Sequence, residues 1–304
     1  MTEDKRPPPA SRGGLHVLMR RKSTIAFLMT VPLIALIVVL VAYPAGFAVY
    51  LSMLDRTTTR FIGLDNFARL ASSERYWAIV IQTCLYAVIA VSLSAIIGFI
   101  VAHLVNNIPA RRQRMWRGLL LLPWVIPLAM SVPTWRLLFD PSFSPINWVL
   151  VEIGIGRINW FVDAGWARFA VILVTVWSSA PFFLVMYLAA LKSVPEELYE
   201  AASIDGATWW QRTRYITLPM MRNVIAVTAL YSLIVTFTGF TIVNVLTNGG
   251  PLGATQVLGT AAFGIGILGG NLPLGAAVAL SMVPILAVAA IFLLRGIARR
   301  GNEA

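Results

Sequence analysis

Charged residues are scarce in this chain, and their scarcity limits the class of protein it can be. Only 12% of its 304 residues are charged and 58% are hydrophobic, whereas soluble domains carry about 25% charged residues. The mean hydropathy of +0.78 points the same way. These values exclude an ordinary soluble enzyme, a disordered chain and a small disulfide scaffold. They leave an integral membrane protein with little soluble mass.

Cysteine and lysine are also nearly absent, which removes several kinds of site. The single cysteine, Cys84, cannot form an internal disulfide and is interpreted as a small buried hydrophobe. None of the few lysines follows the glycine pattern of a phosphate-binding loop, and no His/Cys cluster or catalytic set occurs in an apolar segment. The sequence therefore predicts a non-catalytic chain that binds no metal or cofactor and hydrolyses no nucleotide itself.

Acidic residues are missing from the interiors of the apolar segments, because all 13 lie outside them. Ion-coupled carriers usually place ionisable groups within the bilayer, where these groups bind the coupling ion. This absence argues against a secondary transporter, while sodium coupling through backbone carbonyls stays open as an alternative. If the chain drives uphill transport, its energy has to come from a partner.

The apolar runs that are present are long enough for six membrane spans. A helix needs about 20 apolar residues to cross a bilayer. The fifth and sixth runs are separated by the strong turn signal NGGP. The glycine-interrupted segment 254–268 is ambiguous, because it fits either a seventh span or a helix at the outer interface. The predicted spans lie near residues 25–53, 78–105, 118–139, 169–191, 223–247 and 274–294.

Basic residues favour six spans and set the orientation, since cytoplasmic segments collect Lys and Arg. With six spans, both termini and the second and fourth loops share one side and contain 17 of the 24 basic residues. A seventh span would place the basic C-terminal tail outside. Because the basic residues cluster at the ends of apolar runs, the net charge of +11 does not indicate nucleic acid. The predicted domains are a disordered cytoplasmic tail (1–24), a six-span membrane domain (25–294) that includes a cytoplasmic loop (192–222), and a cytoplasmic tail (295–304).

The cytoplasmic loop predicts two short helices. Ser193 and Glu196 have the spacing of a capping box at the start of the first helix. Gly206 can adopt the left-handed conformation that ends this helix. Thr208 and Gln211 form a second capping pair. Taken alone, the pattern fits an amphipathic hairpin on the membrane surface.

The same loop carries a family motif. The loop contains Glu200-Ala201-Ala202, then Gly206 after three residues, Ile216 after nine more, and Leu218-Pro219 after one more. This pattern resembles the EAA motif of binding-protein-dependent ABC transporter permeases. The loop is similar to that of the carbohydrate branch, of the maltose and glycerol-phosphate type. The segments YPAGFAVYLSM, FIGLDNFARL, LLLLPWVIP and LTNGGP are similar to other parts of that branch. The resemblance therefore covers nearly the whole chain after about residue 24.

The resemblance implies an all-α integral membrane subunit with the six transmembrane helices of the type I ABC importer permease fold. It implies a bacterial inner-membrane location, a second permease subunit, two ATP-binding cassette ATPase subunits that bind ATP and Mg, and an extracytoplasmic solute-binding protein. The loop would couple partner ATPases to alternating access. The residues that this coupling role implies are Leu198, Glu200, Ala201, Ala202, Asp205 and Gly206.

A path for a sugar needs hydroxyl or amide groups and aromatic faces. On the fourth and fifth spans, seven positions match sugar-facing positions of the maltose-type subunit. Ser232, Thr236 and Gly239 on the fifth span share one helical face, at i, i+4 and i+7. The matching fifth-span face of the maltose-type subunit is rich in asparagine, and this difference indicates a solute other than maltose. Helix packing is the alternative interpretation. The seven candidates are Thr175, Ser178, Ser179, Phe182, Ser232, Thr236 and Gly239.

Other interpretations stay open at this stage. An importer for another solute, such as an amino acid or a peptide, fits the same motif, and a non-transporting membrane scaffold would also hold a cytoplasmic partner. Trp148, Trp160 and Trp166 in an outer loop predict an interfacial tryptophan belt. Docking of the solute-binding protein is the second interpretation of these tryptophans.

Overall fold

The computed structural model of the chain describes residues 22–301, and every regular element within that range is a helix. The predicted tails therefore lie outside the described residues, apart from 22–24 and 295–301. Three π-helical turns, Val38–Ala42, Thr213–Thr217 and Gly264–Leu268, each continue a preceding α-helix. In chain order the helices are α1 (Lys22–Ile37), α2 (Tyr43–Ser52), α3 (Asp65–Ala71), α4 (Glu74–Asn106), α5 (Ala110–Val125), α6 (Leu128–Leu138), α7 (Pro145–Glu152), α8 (Ala164–Lys192), α9 (Glu196–Ile204), α10 (Trp209–Arg212), α11 (Leu218–Phe237), α12 (Thr241–Leu246), α13 (Leu258–Phe263) and α14 (Leu272–Gly301).

Five helical segments are long and apolar enough to cross a membrane, and a bent pair of helices makes a sixth candidate. This agrees with the six predicted spans. The bounds differ from the predicted ones mainly at the third and fifth spans. The five segments are Ile25–Ser52, Glu74–Asn106, Ala164–Lys192, Trp209–Phe237 and Leu272–Phe292, and the bent pair is α5 with α6.

Of the described residues, those up to Leu51 form one compact unit and those from Ser52 onward form another. The helix of the first unit continues from α1 through the first π turn into α2, and its most apolar window has a mean hydropathy of 3.0. Large apolar side chains along this helix, such as Phe27 and Leu40, are exposed. A helix that is apolar all round is typical of a membrane span.

The third span is bent by 88° between α5 and α6. Pro127 follows Ile126, which has the extended backbone angles φ −69° and ψ 126°. Proline has no N–H to donate, and it disfavours the helical conformation of the residue before it. The predicted span 118–139 is therefore two helices, and the first of them begins earlier, at Ala110.

The second unit is built around the packing of α4 against α8. Gly98 on α4 lies so close to α8 that a Cβ atom at this position would be 2.4 Å from Phe183 Cβ. Ala87 and Ala102 on α4 are fully buried. In a membrane, helices associate through close backbone approach at small residues of this kind.

The fifth predicted span, 223–247, is not one continuous helix. α11 ends at Phe237, and α12 begins only after a break at residues 238–240. A Cβ atom at Gly239 would lie 2.9 Å from the carbonyl oxygen of Thr236, so the backbone folds tightly at this glycine. The expectation that Ser232, Thr236 and Gly239 share one helical face is wrong for Gly239, because the helix has already ended.

The ambiguous segment 254–268 contains a helix that is too short to cross a bilayer. α13 and its π turn together form the apolar helix Leu258–Leu268. Its length is about 16 Å at 1.5 Å per residue, roughly half the hydrocarbon thickness. The helix folds back against α14, where a Cβ atom at Gly275 would be 2.5 Å from the Cα atom of Gly266. The segment is therefore not a seventh span.

The chain between the third and fourth spans folds into what we call the interspan hairpin (residues 143–163). The side chain of Asn147 is buried at its centre and accepts a hydrogen bond from the indole N–H of Trp160 at 3.1 Å. Trp160 is only 4% exposed. This hydrogen bond and the packing of neighbouring rings hold Trp160 inside the fold, so its ring is not presented to lipid. Trp148 and Trp166 are exposed.

Candidate functional site

The EAA hairpin (residues 194–217) consists of α9 and α10 joined through Gly206. Gly206 has φ +72°, which glycine adopts at low cost. The N–H of Gly206 donates to the carbonyl oxygen of Ser203 at 3.1 Å, and the N–H of Ala207 donates to that of Ala202 at 2.9 Å. These bonds form a Schellman motif, which confirms the predicted end of the first helix at this glycine.

The starts of the two hairpin helices differ in how well they were predicted. Thr208 Oγ1 accepts from the N–H of Gln211 at 3.4 Å, and Gln211 Oε1 accepts from the N–H of Thr208 at 2.7 Å, which is the predicted capping box. The predicted box of Ser193 with Glu196 is wrong. Ser193 instead ends the fourth span, where its hydroxyl donates to the carbonyl oxygen of Ala190 at 2.8 Å. α9 begins without a side-chain cap.

The residues predicted to couple the chain to an ATPase lie mostly at exposed positions of this hairpin. Ile204, beside them, is 87% exposed. Small side chains together with exposed apolar ones suit close packing against another protein. Leu198, Glu200, Ala201, Asp205 and Gly206 are exposed, and Ala202 is half-buried.

Two further hydrogen bonds hold the EAA hairpin, one to the residue that precedes α11 and one within the hairpin itself. The hydroxyl oxygen of Tyr199 lies 2.9 Å from Thr217 Oγ1, and the Nε–H of Arg212 donates to the carbonyl oxygen of Ala207 at 2.9 Å. A cavity of about 220 Å³ lies beside Tyr199 and Arg212 and also contacts the end of α4. Sequence reasoning missed Tyr199, because its partner is 18 positions away in the chain, and Arg212, because its partner five positions earlier does not have the i+3 or i+4 spacing of a helix.

The hydroxyl residues predicted on the fourth span lie where this span contacts the second one. Ser179 Oγ is 2.7 Å from Ser94 Oγ, and the hydroxyl of Thr175 is hydrogen-bonded to that of Tyr86. Ser178 Oγ donates to the carbonyl oxygen of Thr175 at 3.0 Å. In this conformation Thr175 and Ser179 contribute to packing between the two spans, the interpretation that the sequence left open, while Ser178 bonds within its own helix.

The three candidates from the fifth predicted span are divided between two places. Ser232 and Thr236 are buried one turn apart on α11. Gly239 lies beyond the end of that helix and faces α13, since its carbonyl oxygen would be 3.4 Å from a Cβ atom at Gly259. The structure therefore brings the two hydroxyl residues together and separates the glycine from them.

Phe182 lies at the centre of an aromatic cluster made with Trp124 and Tyr231. Its ring centroid is 5.9 Å from that of Trp124 on α5 and 5.0 Å from that of Tyr231 on α11. Trp124 is 52% exposed and Tyr231 is 54% exposed. The aromatic cluster therefore offers ring surface at the junction of three spans. Sequence reasoning missed Trp124 and Tyr231, although Trp124 lies in one of the segments that carried the resemblance.

Comparison with known sequences covers most of the chain. The sequence model of the family described as binding-protein-dependent transport system inner membrane component matches residues 94–300. The chain is 33% identical over 289 residues to the trehalose/maltose transport system permease protein MalF of Thermococcus litoralis, covering 93% of this chain and 97% of that protein. It is 32% identical over 241 residues to the sn-glycerol-3-phosphate transport system permease protein UgpA of Yersinia pestis, covering 78% of this chain and 81% of that protein.

Solved structures share the architecture. A chain of a bacterial ABC transporter involved in the import of the acidic polysaccharide alginate superposes with a TM-score of 0.81 at 24% identity, over 93% of this chain and 98% of that chain. The alginate transporter in complex with an alginate pentasaccharide-bound periplasmic protein gives 0.80 at 23% identity, over 95% and 98%. At these identities the likeness concerns the fold alone.

Proposed function

The chain belongs to the family of binding-protein-dependent transport system inner membrane components, and on that premise we propose that it forms half of the membrane path of an ATP-driven importer for a sugar or a related polyhydroxylated solute. Its fold is that of a type I ABC importer permease. The observation that carries the proposal is the EAA hairpin, in which two short helices and the left-handed Gly206 hold the motif residues at mostly exposed positions.

In this proposal the EAA hairpin couples ATP use to solute movement. Two partner ATPase subunits bind ATP and Mg, and this chain binds neither. Closure of the ATPases draws the hairpins of the two permease subunits together, and the spans rock between inward-open and outward-open states. Ala201 and Ala202 allow close approach to an ATPase cleft, and Glu200 pairs with a basic group at its rim. Because Tyr199 on α9 is hydrogen-bonded to Thr217, which directly precedes α11, displacement of the hairpin moves the fifth span with it.

The remaining partners and the orientation follow from family membership and from charge. A second permease subunit completes the path as a heterodimer, and an extracytoplasmic solute-binding protein delivers the solute. Both termini lie in the cytoplasm, because the predicted inner segments hold 17 of the 24 basic residues. The EAA hairpin then faces the cytoplasm, where the ATPases are.

The solute class is supported by the relatives and by the aromatic cluster. Relatives named for trehalose/maltose and for sn-glycerol-3-phosphate transport both handle polyhydroxylated solutes. The exposed rings of Trp124 and Tyr231 and the half-buried ring of Phe182 can stack on the CH faces of a sugar, while hydroxyl groups orient it. The hydroxyl groups that we assign to this role lie on the fourth and fifth spans, at Thr175, Ser178, Ser179, Ser232 and Thr236. Gly239 contributes the tight backbone turn at the outer end of the fifth span.

Two substitutions at Gly206 test coupling. A Cβ atom there would meet no atom within 4 Å, so any effect comes from the backbone conformation. Leucine in the left-handed region costs about 1–2 kcal/mol, whereas asparagine visits this region routinely. In the transporter purified from its host with its partner subunits, we expect Gly206→Leu to lose most binding-protein-stimulated ATPase activity and uptake into proteoliposomes. Gly206→Asn should retain both activities.

Two results would overturn the proposed coupling. One is normal uptake by the Gly206→Leu transporter. The other is robust uphill uptake by this chain alone, driven by an ion gradient across the proteoliposome membrane.

Substitutions at Phe182 test the sugar-stacking role. We expect Phe182→Ala to reduce sugar uptake roughly tenfold, which corresponds to about 1.4 kcal/mol, with unchanged basal ATPase activity. Phe182→Tyr keeps the ring and should keep uptake. Phe143→Ala removes a similarly large ring from an exposed position of the interspan hairpin and serves as the control. Unchanged uptake with Phe182→Ala would contradict the stacking role.

A further inference from the structure

The interspan hairpin exposes a large amount of apolar surface for a segment that does not cross the membrane. The exposed fractions reach 84% at Phe143 and 67% at Trp148. Contiguous exposed apolar surface marks a contact with another protein or with a membrane. We call the following six exposed side chains the apolar patch: Phe143, Trp148, Val149, Val151, Ile153 and Ile155.

The opposite face of the hairpin is already occupied. Ile146 and Leu150 on α7 pack against the core of the second unit. The side chain of Asn147 donates to the carbonyl oxygen of Ile158 at 3.0 Å and accepts from the N–H of the same residue at 3.2 Å. These contacts fix the hairpin, so the apolar patch is held outward and cannot turn into the core.

The hairpin lies at the end of two spans and is continuous with their surface. Trp160 inside it has its ring centroid 5.3 Å from that of Trp166 and 6.3 Å from that of Phe169. Trp166 and Phe169 belong to the first turns of α8 and are themselves exposed. Tryptophan side chains concentrate where a membrane meets water. The apolar patch is thus connected through these rings to the level of the membrane boundary.

The charges around the patch fit the same location. Glu152 at the end of α7 and Arg157 after it are the charged residues of the stretch from Phe143 to Ile158. One carboxylate and one guanidinium can reach lipid headgroups while their apolar neighbours enter the acyl boundary. An amphipathic helix in this setting lies in the interface with its apolar face buried about 5–10 Å deep.

We propose that the interspan hairpin is a monotopic membrane element, with the apolar patch seated in the phospholipid interface that borders the third and fourth spans. The bilayer is its partner, and the solute-binding protein does not contact the patch. This surface is independent of the EAA hairpin and of the solute path, so its test does not depend on transport.

Site-specific fluorescence tests the location. The full-length chain is purified from its host with its co-purifying subunits into phosphatidylethanolamine and phosphatidylglycerol nanodiscs, without binding protein. Cys84→Ser removes the single native cysteine. Bimane is then attached at Trp148→Cys or Ile155→Cys, and at Arg60→Cys in another exposed loop as the water-facing control. A lipid carrying a nitroxide near its headgroup and aqueous iodide serve as the two quenchers.

We expect the nitroxide lipid to quench bimane at positions 148 and 155 about threefold more than at position 60, with the reverse order for iodide, as an interfacial helix requires. Two positions are used so that poor folding of one variant leaves the other. Iodide quenching as strong as at position 60 would overturn the proposal. Protection from both quenchers would also overturn it, since another protein subunit would then cover the apolar patch.

Discussion

At the scale of single residues, Gly98 shows how little space separates two spans. A Cβ atom at this position would lie 2.4 Å from Phe183 Cβ and 3.1 Å from the backbone nitrogen of Leu184. Side-chain rotation cannot relieve a contact with a Cβ atom and a backbone atom, so α4 and α8 have to separate. We expect Gly98→Ala to lower the stability of the detergent-solubilised chain by about 1–3 kcal/mol. A fall in the thermal unfolding midpoint measures this loss.

Gly118 supplies the matched control for this substitution. It lies inside α5, and a Cβ atom there would meet no atom within 4 Å. Alanine is the better helix former by about 1 kcal/mol, so Gly118→Ala should leave the midpoint unchanged or raise it. Equal losses for both variants would show that the close approach of α4 and α8 does not determine stability.

At the scale of helical elements, the contact between α13 and α14 depends on a glycine pair. A Cβ atom at Gly275 would lie 2.5 Å from Gly266 Cα and 2.9 Å from the carbonyl oxygen of Ala262. We expect Gly275→Ala to displace the short helix Leu258–Leu268 from the last span. Hydrogen–deuterium exchange of the amides in that helix should then rise several-fold, because local opening becomes easier.

Gly264→Ala provides the comparison within the same short helix, since a Cβ atom at Gly264 would meet no atom within 4 Å. Its exchange should match the wild type. If Gly275→Ala also exchanged like the wild type, the glycine pair would not be what holds the short helix against α14.

The elements also show which signals the sequence carries. Long uncharged runs predict the spans because lipid excludes charge along a whole helix, which is a property of composition. The bend before Pro127 has a local cause that the sequence contains, whereas the break at residues 238–240 depends on how Gly239 folds back on Thr236. Ser193 fits a capping box by spacing, yet the fourth span extends to Lys192 and takes Ser193 as its own end.

At the scale of the whole molecule, the EAA hairpin was predictable and the aromatic cluster was not. The hairpin is local, since its turn and its second cap involve residues a few positions apart. Trp124, Phe182 and Tyr231 come from three different spans, and only tertiary packing brings their rings to 5.0–5.9 Å. The burial of Trp160 likewise depends on Asn147, thirteen positions earlier in the chain. The periodicity of apolar residues along the sequence does not indicate contacts between such distant positions.

The orientation of the whole chain can be tested by reporter fusions. Positive charge holds a segment in the cytoplasm, and the basic residues at the start of α5 and within the EAA hairpin lie on the predicted inner side. Green fluorescent protein fluoresces in the cytoplasm, so fusions after residues 108 and 304 should fluoresce. Alkaline phosphatase is active outside the cytoplasm, so fusions after residues 60 and 159 should be active. Active phosphatase after residue 304 would place the C-terminus outside and require an odd number of spans. The short helix at 258–268 or the bent third span would then have to be reassigned, and the EAA hairpin could no longer be placed beside the ATPases by counting from the C-terminus.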